Sequence, residues 1–481
     1  MAATKDMTTG APAKLLFGFS LPLMLGNVFQ QFYTIVDTII VGQGVGMQAL
    51  ASIGAADWLN WLFLWMAAGM TQGFSILFAQ HYGGKDEKSL HKSIGNAVIL
   101  TIGAAVVLTA AGELAASPML ALLKTPEDIV AGSLTYLRVM IGGLTVIMFY
   151  NLEAALLRAL GDGRSPLTAM VIASCTNIGL DLLFVMGFHL GIAGAAAATL
   201  IAQGISCIYC FVVLRRVSFL KLKRQDFAID ISLAKRLLRL GMPVMFQDAI
   251  ISIGGMVLQS VINGFGVLFV AGFTATNKLY GILETAAISY GYAISTFVAQ
   301  NKGAGNDKRI KAGMRKGITM AFATSVLISV LMFLWGNDIL SLFISSEEVQ
   351  AEQEVLQIAH HYLMVMSTFL IILYALHTYR SALQGMGDTV IPMVSGMVEF
   401  VMRVSAAIFL PRFIGQEGIF YAEILAWSGA CVLLVTVYYK KIALFKKIMN
   451  FSLVFALLLS VVMTGICYLF TEQIIHAFLT D

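Results

Sequence analysis

Charge is scarce in this sequence. Asp, Glu, Lys and Arg make up only 12% of its 481 residues, where soluble domains carry about 25%. That excludes an ordinary soluble globular domain. Cysteine is scarce as well. The five thiols, Cys175, Cys207, Cys210, Cys431 and Cys467, all fall in apolar stretches. Cys207 and Cys210 form a C-x-x-C, but on a predicted membrane helix, so they read as small packing residues and not as a redox or metal pair. The seven histidines lie mostly in or near loops, and no H-E-x-x-H occurs. His377 reads as an isolated, packed polar residue. No enzyme and no cofactor is therefore expected, because neither a His/Glu metal motif nor a nucleophile–base set is present. The first dozen residues are polar without a secretory pattern, which predicts an uncleaved first anchor.

Apolar residues are what the chain has in excess: 58% of it is hydrophobic, and the mean hydropathy is +0.83. A membrane helix needs about 20 apolar residues, and on that measure thirteen spans are expected, at roughly 14–41, 51–80, 95–116, 134–158, 166–187, 191–214, 240–263, 269–299, 317–336, 361–384, 391–411, 417–439 and 451–471. The positive-inside rule supports this count. With the N-terminus inside, the inner segments hold Lys5 and Lys14, Lys85 to Lys92, Arg158 and Arg164, a basic connector at 215–239, Lys302 to Lys316, Arg380, and Lys440 to Lys447. The basic residues left over are Lys124, Arg138, Lys278, Arg403 and Arg412, while an outer loop reads SSEEVQAEQE.

The chain also repeats itself. Pro22 in the first span corresponds to Pro243 in the seventh. AQHYGGK at 79–85 corresponds to AQNKGAG at 299–305, and RALGDGRSP at 158–166 to RSALQGMGDTVIP at 380–392. The expected fold class is an all-α polytopic membrane protein of two six-helix bundles, related by a pseudo-two-fold axis along the membrane normal. Residues 1–214 form the first lobe, 215–239 a basic cytoplasmic connector, 240–440 the second lobe, and 441–481 a basic linker with the candidate thirteenth helix.

Polar residues in the first lobe fall on shared stripes. Gln30, Tyr33 and Asp37 share one face of span one, and Asn177 and Asp181, spaced i and i+4, share one face of span five. Span six adds Thr199. Counted at 1.5 Å per residue, Asp37, Asp181 and Thr199 all sit roughly 8–12 Å below the outer ends of their helices. Two carboxylates, an amide and a hydroxyl at one level suit a hard cation such as Na+, and two close carboxylates in low dielectric can also share a proton. The alternative is that both aspartates are simply hydrated near the interface. In the second lobe, Glu399 and Arg403 are spaced as an intramembrane ion pair, read as structural before substrate-binding. Glu284 and Glu423 have no obvious partner.

The run P-x7-Q-x2-Y-x3-D-T-x2-V-G at 22–42, the R-x2-G-D-x3-P element at 158–166, N-x3-D at 177–181 and the duplication together resemble the multidrug and toxic compound extrusion (MATE) transporters, over about residues 12–440. The resemblance implies a V-shaped pair of lobes and export of organic, often cationic, amphiphiles in exchange for Na+ or H+. It places a cation site of the first-lobe type at Asp37, Asn177, Asp181 and Thr199, with Gln30, Tyr33 and Asn151 nearby, and leaves Glu284, Glu399 and Arg403 as second-lobe contacts. Acidic residues in spans seven and ten, used by other branches, are not matched: those spans carry Gln247, Asp248 and the apolar run FLIILYAL. The expected partners are small organic molecules and the bilayer, with no nucleic acid and a monomer sufficient for function. The expected location is the bacterial inner membrane, N-terminus cytoplasmic. The competing function is a flippase for a lipid-linked precursor, which would need a strongly cationic cavity for pyrophosphate. Among the spans only Arg138, Lys278 and Arg403 are available for that.

Overall fold

The computed structural model describes residues 4–123, 125–341 and 349–441, apart from the side chains of residues 32, 33, 47, 349 and 350. The expected span at 451–471 and most of the basic linker before it lie outside the described residues. Among the described residues the structure is helical throughout, with no strand. The first half contains α1 (Pro12–Gly44), α2 (Met47–Gly83), α3 (Glu87–Leu122), α4 (Glu127–Gly142), α5 (Leu144–Ala159), α6 (Arg164–Asp181) and α7 (Gly191–Arg215). The second half contains α8 (Ile231–Ile262), α9 (Val267–Gly303), α10 (Asp307–Ser341), α11 (Val349–Gly385), α12 (Val390–Phe409), the single turn α13 (Pro411–Ile414) and α14 (Gly418–Lys441).

Ten described helices are long and apolar enough to cross a membrane, and α4 with α5 makes one more span, bent by 49°. The tenth, Val390–Lys441, has 52 residues. At 1.5 Å per residue that is about 78 Å, far more than a hydrocarbon core of about 30 Å, so it must cross twice. It breaks around α13 and Gly415, whose φ of +67° suits glycine. The described chain thus holds twelve crossings, six in each half. Span four, expected as one helix, is two: the chain turns at Gly142 and Gly143, where glycine tolerates the break.

The outer faces carry what a membrane requires. On α3, Val106, Val107 and Leu114 are 63%, 65% and 79% exposed, a large cost in water but none in hydrocarbon. The chain packs into two compact units. Among the described residues, one comprises those up to Ser252 with Ser289–Lys316 and Gln384–Val390; the other comprises Ile253–Ile288, those from Gly317 to Leu383 and those from Ile391 on. The first centres on α2, whose Phe74, Leu77 and Phe78 are fully buried and pack with Leu90, Ile94, Leu152 and Leu156. The second is built on stacked rings. Phe273 lies 4.6 Å from Tyr362, Tyr362 lies 5.0 Å from Phe420, and Phe420 lies 5.6 Å from Phe269, centroid to centroid.

The repeated motifs have a structural meaning. Gly161 adopts φ +79°, and its α-carbon abuts the backbone of Lys5, so a side chain there would collide. The next residue, Asp162, is fully buried and accepts from Arg164 N (3.0 Å), Ser165 N (3.0 Å) and Ser165 Oγ (2.6 Å), which starts α6. Gly387, in the second copy, also has positive φ (+87°). The A-Q motifs meet each other. Gly83 faces the backbone of Gln300, and Gly303 faces the backbone of Gln80, so the ends of α2 and α9 touch main chain to main chain. The N-terminal segment binds the same end. Met7 N donates to Gln300 Oε1 (2.8 Å), Gln300 Nε2 to Ala159 O (2.8 Å), and Arg309 Nη2 to Thr9 O (2.7 Å).

Candidate functional site

Small residues let α1 lie close against α6. A β-carbon at Gly26 would sit 3.0 Å from Met170 Sδ, and one at Gly44 would sit 2.7 Å from Val185 Cγ1. Close approach through small residues is how helices associate where the hydrophobic effect gives no help. Asp37 lies between those two glycines on α1. Its carboxyl comes alongside that of Asp181, at the end of α6. Directly after Asp181 the helix widens into a π-helical turn, Leu182–Gly187. Such turns recur at functional sites because they re-aim a side chain. Nothing in the sequence pattern announces this one.

Asn177, one turn earlier on α6, donates from Nδ2 to Thr199 Oγ1 (3.3 Å), and that hydroxyl donates on to Ala195 O (3.2 Å). The structure therefore brings Asp37, Asn177, Asp181 and Thr199 together from three helices. Asp181 is 0% exposed and Asn177 2%. No hydrogen-bond donor is aligned on either oxygen of Asp181, on Oδ1 of Asp37 or on Oδ1 of Asn177, although the Asn177 side chain lies against Asp181. An orphaned buried acceptor costs about 1–3 kcal/mol, more if charged. Four in one place call for a proton or a coordinated cation. Oxygen ligands of this kind fit a hard ion such as Na+. Among the described residues no three His, Cys, Asp or Glu side chains form a metal-holding group. Ile40, Val41, Val185 and Ala195 form an apolar cluster beside the pair.

The outlying candidates are placed differently. Gln30 is exposed, and its carbonyl accepts from Thr34 Oγ1 (2.9 Å). Asn151 turns its amide back onto its own helix, donating to Ile147 O (2.9 Å). The side chain of Tyr33 lies outside the described residues. Two further carboxyls were not expected. Asp57 on α2 is half-buried and within electrostatic reach of Asp37. Glu153 on α5 lies beside Cys207 on α7. An acidic residue inside an apolar window was the available signal for both.

In the second unit the ion pair read from the i, i+4 spacing is present and larger than expected. Glu399 accepts from Arg403 Nη2 (2.9 Å) and from Arg380 Nη2 (2.6 Å), and Arg403 Nη2 also reaches Glu423 Oε2 (2.9 Å). Three expectations change here. Arg380 is not an inner-surface charge but is buried in this network. Glu423 has a partner. His377 is not isolated, because its Nε2 lies 3.3 Å from Glu284 Oε1. Of the three cations named for a lipid pyrophosphate, Arg403 is held by two glutamates, Arg138 lies 3.8 Å from Glu113, and Lys278 is exposed.

The MatE family model matches residues 22–183 and 243–409, so both halves are recognised. Among curated relatives, the probable multidrug resistance protein YpnP of Bacillus subtilis is 30% identical over 419 residues, covering 86% of this chain and 92% of its own. The probable multidrug resistance protein NorM of Thermotoga maritima is 24% identical, covering 79% and 82%. The multidrug export protein MepA of Staphylococcus aureus is 22% identical, covering 86% and 91%. Among solved structures, a MOP-superfamily transporter of Pyrococcus furiosus superposes with a TM-score of 0.86 at 23% identity, covering 92% of this chain and 99% of that one.

Proposed function

We propose that this chain, which belongs to the MATE family of multidrug transporters, is a cation-coupled antiporter that exports organic, often cationic, amphiphiles by alternating access. The observation that carries the coupling is the group of orphaned oxygens on Asp37, Asp181 and Asn177. A proton or Na+ entering there supplies the missing partner. Neutralising the pair changes how tightly α1 holds against α6, and Pro22, within α1, is the hinge, since it lacks a backbone donor. Asp37, Asn177, Asp181 and Thr199 hold the ion, and the two halves provide the alternating faces. Coupling requires that ion and drug favour opposite states of one equilibrium. The relatives named for multidrug resistance or export support the substrate class. We place the protein in the bacterial inner membrane with a cytoplasmic N-terminus, on the distribution of Lys and Arg. One chain carries both halves and works as a monomer.

The test is ethidium transport in proteoliposomes with Na+ and pH gradients imposed one at a time. Wild type should respond to at least one gradient. Asp37→Asn should fold, bind ethidium and lose gradient-driven transport. Full gradient-driven transport in that variant ends the proposal.

A further inference from the structure

The segment that joins α7 to α8 carries positive charge that its own acids do not answer. From Arg215 to Arg239 it holds eight Lys or Arg residues and two Asp. Both aspartates are spent on neighbouring main chain and hydroxyl. Asp226 is buried and accepts from Lys223 N (2.7 Å). Asp230 accepts from Ser232 N (3.0 Å), Ser232 Oγ (2.7 Å) and Leu233 N (3.2 Å). Lys221, Lys223 and Arg224 are exposed. Among the described residues none of these three cations forms an ion pair.

Apolar side chains divide along the same segment. Phe219, Leu220, Leu222 and Leu233 pack inward on the core around α2, and Phe219 stacks at 5.6 Å on Tyr82. Phe227, Ile229 and Ile231 are instead 38%, 68% and 68% exposed. Contacts with α3 fix their place. Asn96 Nδ2 donates to Ala228 O (3.2 Å), Asp230 N donates to Asn96 Oδ1 (2.9 Å), and Gly95 abuts the backbone of Asp226 so closely that a β-carbon would collide. Residue 95 opens the apolar run of α3. Ile102, seven residues on and therefore on nearly the same face, is 47% exposed and stands about 10 Å further along the helix. A side chain exposed at that depth of a membrane helix meets hydrocarbon. The segment thus lies where α3 enters the bilayer.

We propose that residues 221–231 form an interfacial binding surface for anionic phospholipid. Phe227, Ile229 and Ile231 enter the boundary between headgroups and acyl chains, and Lys221, Lys223 and Arg224 take the lipid phosphates. Buried apolar area and the attraction of cations to anionic lipid add up at a membrane surface. The long stems of lysine and arginine lie along the apolar boundary while their charged heads stay at the phosphates. The contacts with α3 hold the surface in shape beforehand, so little ordering is required when lipid binds. The site stands whether or not the acid pair couples transport.

The experiment is tryptophan quenching by brominated lipid, with the full chain in nanodiscs of phosphatidylglycerol and phosphatidylcholine in equal parts. Ile229→Trp places a reporter at an exposed position, and Phe227→Trp repeats the reading. The signal of the five native tryptophans is subtracted using the unmodified protein. Quenching should be about threefold stronger with bromine on phosphatidylglycerol than with bromine on phosphatidylcholine. The preference should vanish when Lys221→Gln, Lys223→Gln and Arg224→Gln are combined. It should persist when Lys308→Gln and Lys311→Gln remove two exposed cations of α10. Equal quenching by the two lipids, no quenching, or a preference that survives the triple substitution overturns the proposal. Inorganic phosphate added at constant ionic strength should leave the preference intact. If phosphate abolishes it, the cations serve a soluble anion and the lipid assignment fails.

Discussion

The two halves bury acid in opposite ways. In the first, Asp37 and Asp181 lie side by side with no basic partner, and no donor is aligned on four of the local acceptor oxygens. In the second, Glu399 is gripped by two arginines and one of these holds Glu423 as well. An acid without a countercharge is an open position that an ion can fill and leave. An acid clamped by guanidiniums is closed, and its work is to hold helices together. The symmetric backbone thus carries acids without a basic partner in one half and acids paired with arginine in the other.

Substitutions that exchange these two behaviours are the sharpest tests. Glu399→Ala takes the carboxylate from buried Arg380 and leaves Arg403 with Glu423 alone. Breaking one buried pair costs about 3–5 kcal/mol, so this variant should fail to give a monodisperse peak by size exclusion. Asp181→Asn does the reverse. It removes a charge that had no partner, so its melting temperature in detergent should equal or exceed that of wild type, while gradient-driven transport is lost. If Asp181→Asn unfolds the protein, the acid pair is structural and the contrast between the halves collapses.

The next effect is steric. Gly44→Val places a side chain against Val185 and pushes α1 away from α6. Overpacking of this kind costs about 1–3 kcal/mol, and the separation of Asp37 from Asp181 should lower transport more than stability does. Equal loss of both would show that helix contact, and not carboxyl proximity, is what matters. Asp57→Asn should act more weakly. Asp57 influences Asp37 through space, so the variant should keep transport and shift its pH or Na+ dependence by a few-fold.

The smallest effects lie outside the spans. Asp86 caps α3 and Asp230 caps α8, and hydrogen bonds from Ser89 and from Ser232 and Leu233 hold their carboxyls below the usual range. A lowered carboxyl contributes stability above its unfolded value, about pH 3.9 for Asp, and loses it as pH falls through the folded one. Asp86→Ala and Asp230→Ala should therefore lower the melting temperature slightly at pH 7, and by less as the pH falls below the usual carboxylate range. Transport at neutral pH should be unchanged.

Much of the architecture was legible. Apolar runs marked the spans, because a helix in hydrocarbon must be long and apolar to satisfy its own backbone. The G-D-x-x-x-P repeats marked where Gly161 and Gly387 turn the chain. Asp37, Asn177 and Asp181 stood out because polar residues are rare in such helices, and their spacing put them on definable faces. Asp57 and Glu153 carry the same signal, an acid inside an apolar window, but belong to neither of the repeated motifs. The break at Gly143 was hidden inside a continuous apolar run, where hydropathy does not register direction.

Chain chemistry alone therefore determined that this is a two-half membrane protein with acids at one level of its first half. It did so because burial in a bilayer writes itself into composition and period. Which charges meet was decided only by the tertiary structure. Local spacing predicts a pair within one helix, such as Glu399 with Arg403. It does not predict that Arg380 arrives from α11, Glu423 from α14, or His377 beside Glu284, because those contacts depend on how separate helices rotate and cross. The same dependence left Asp181 with Asp37 for a neighbour and no arginine within hydrogen-bonding distance.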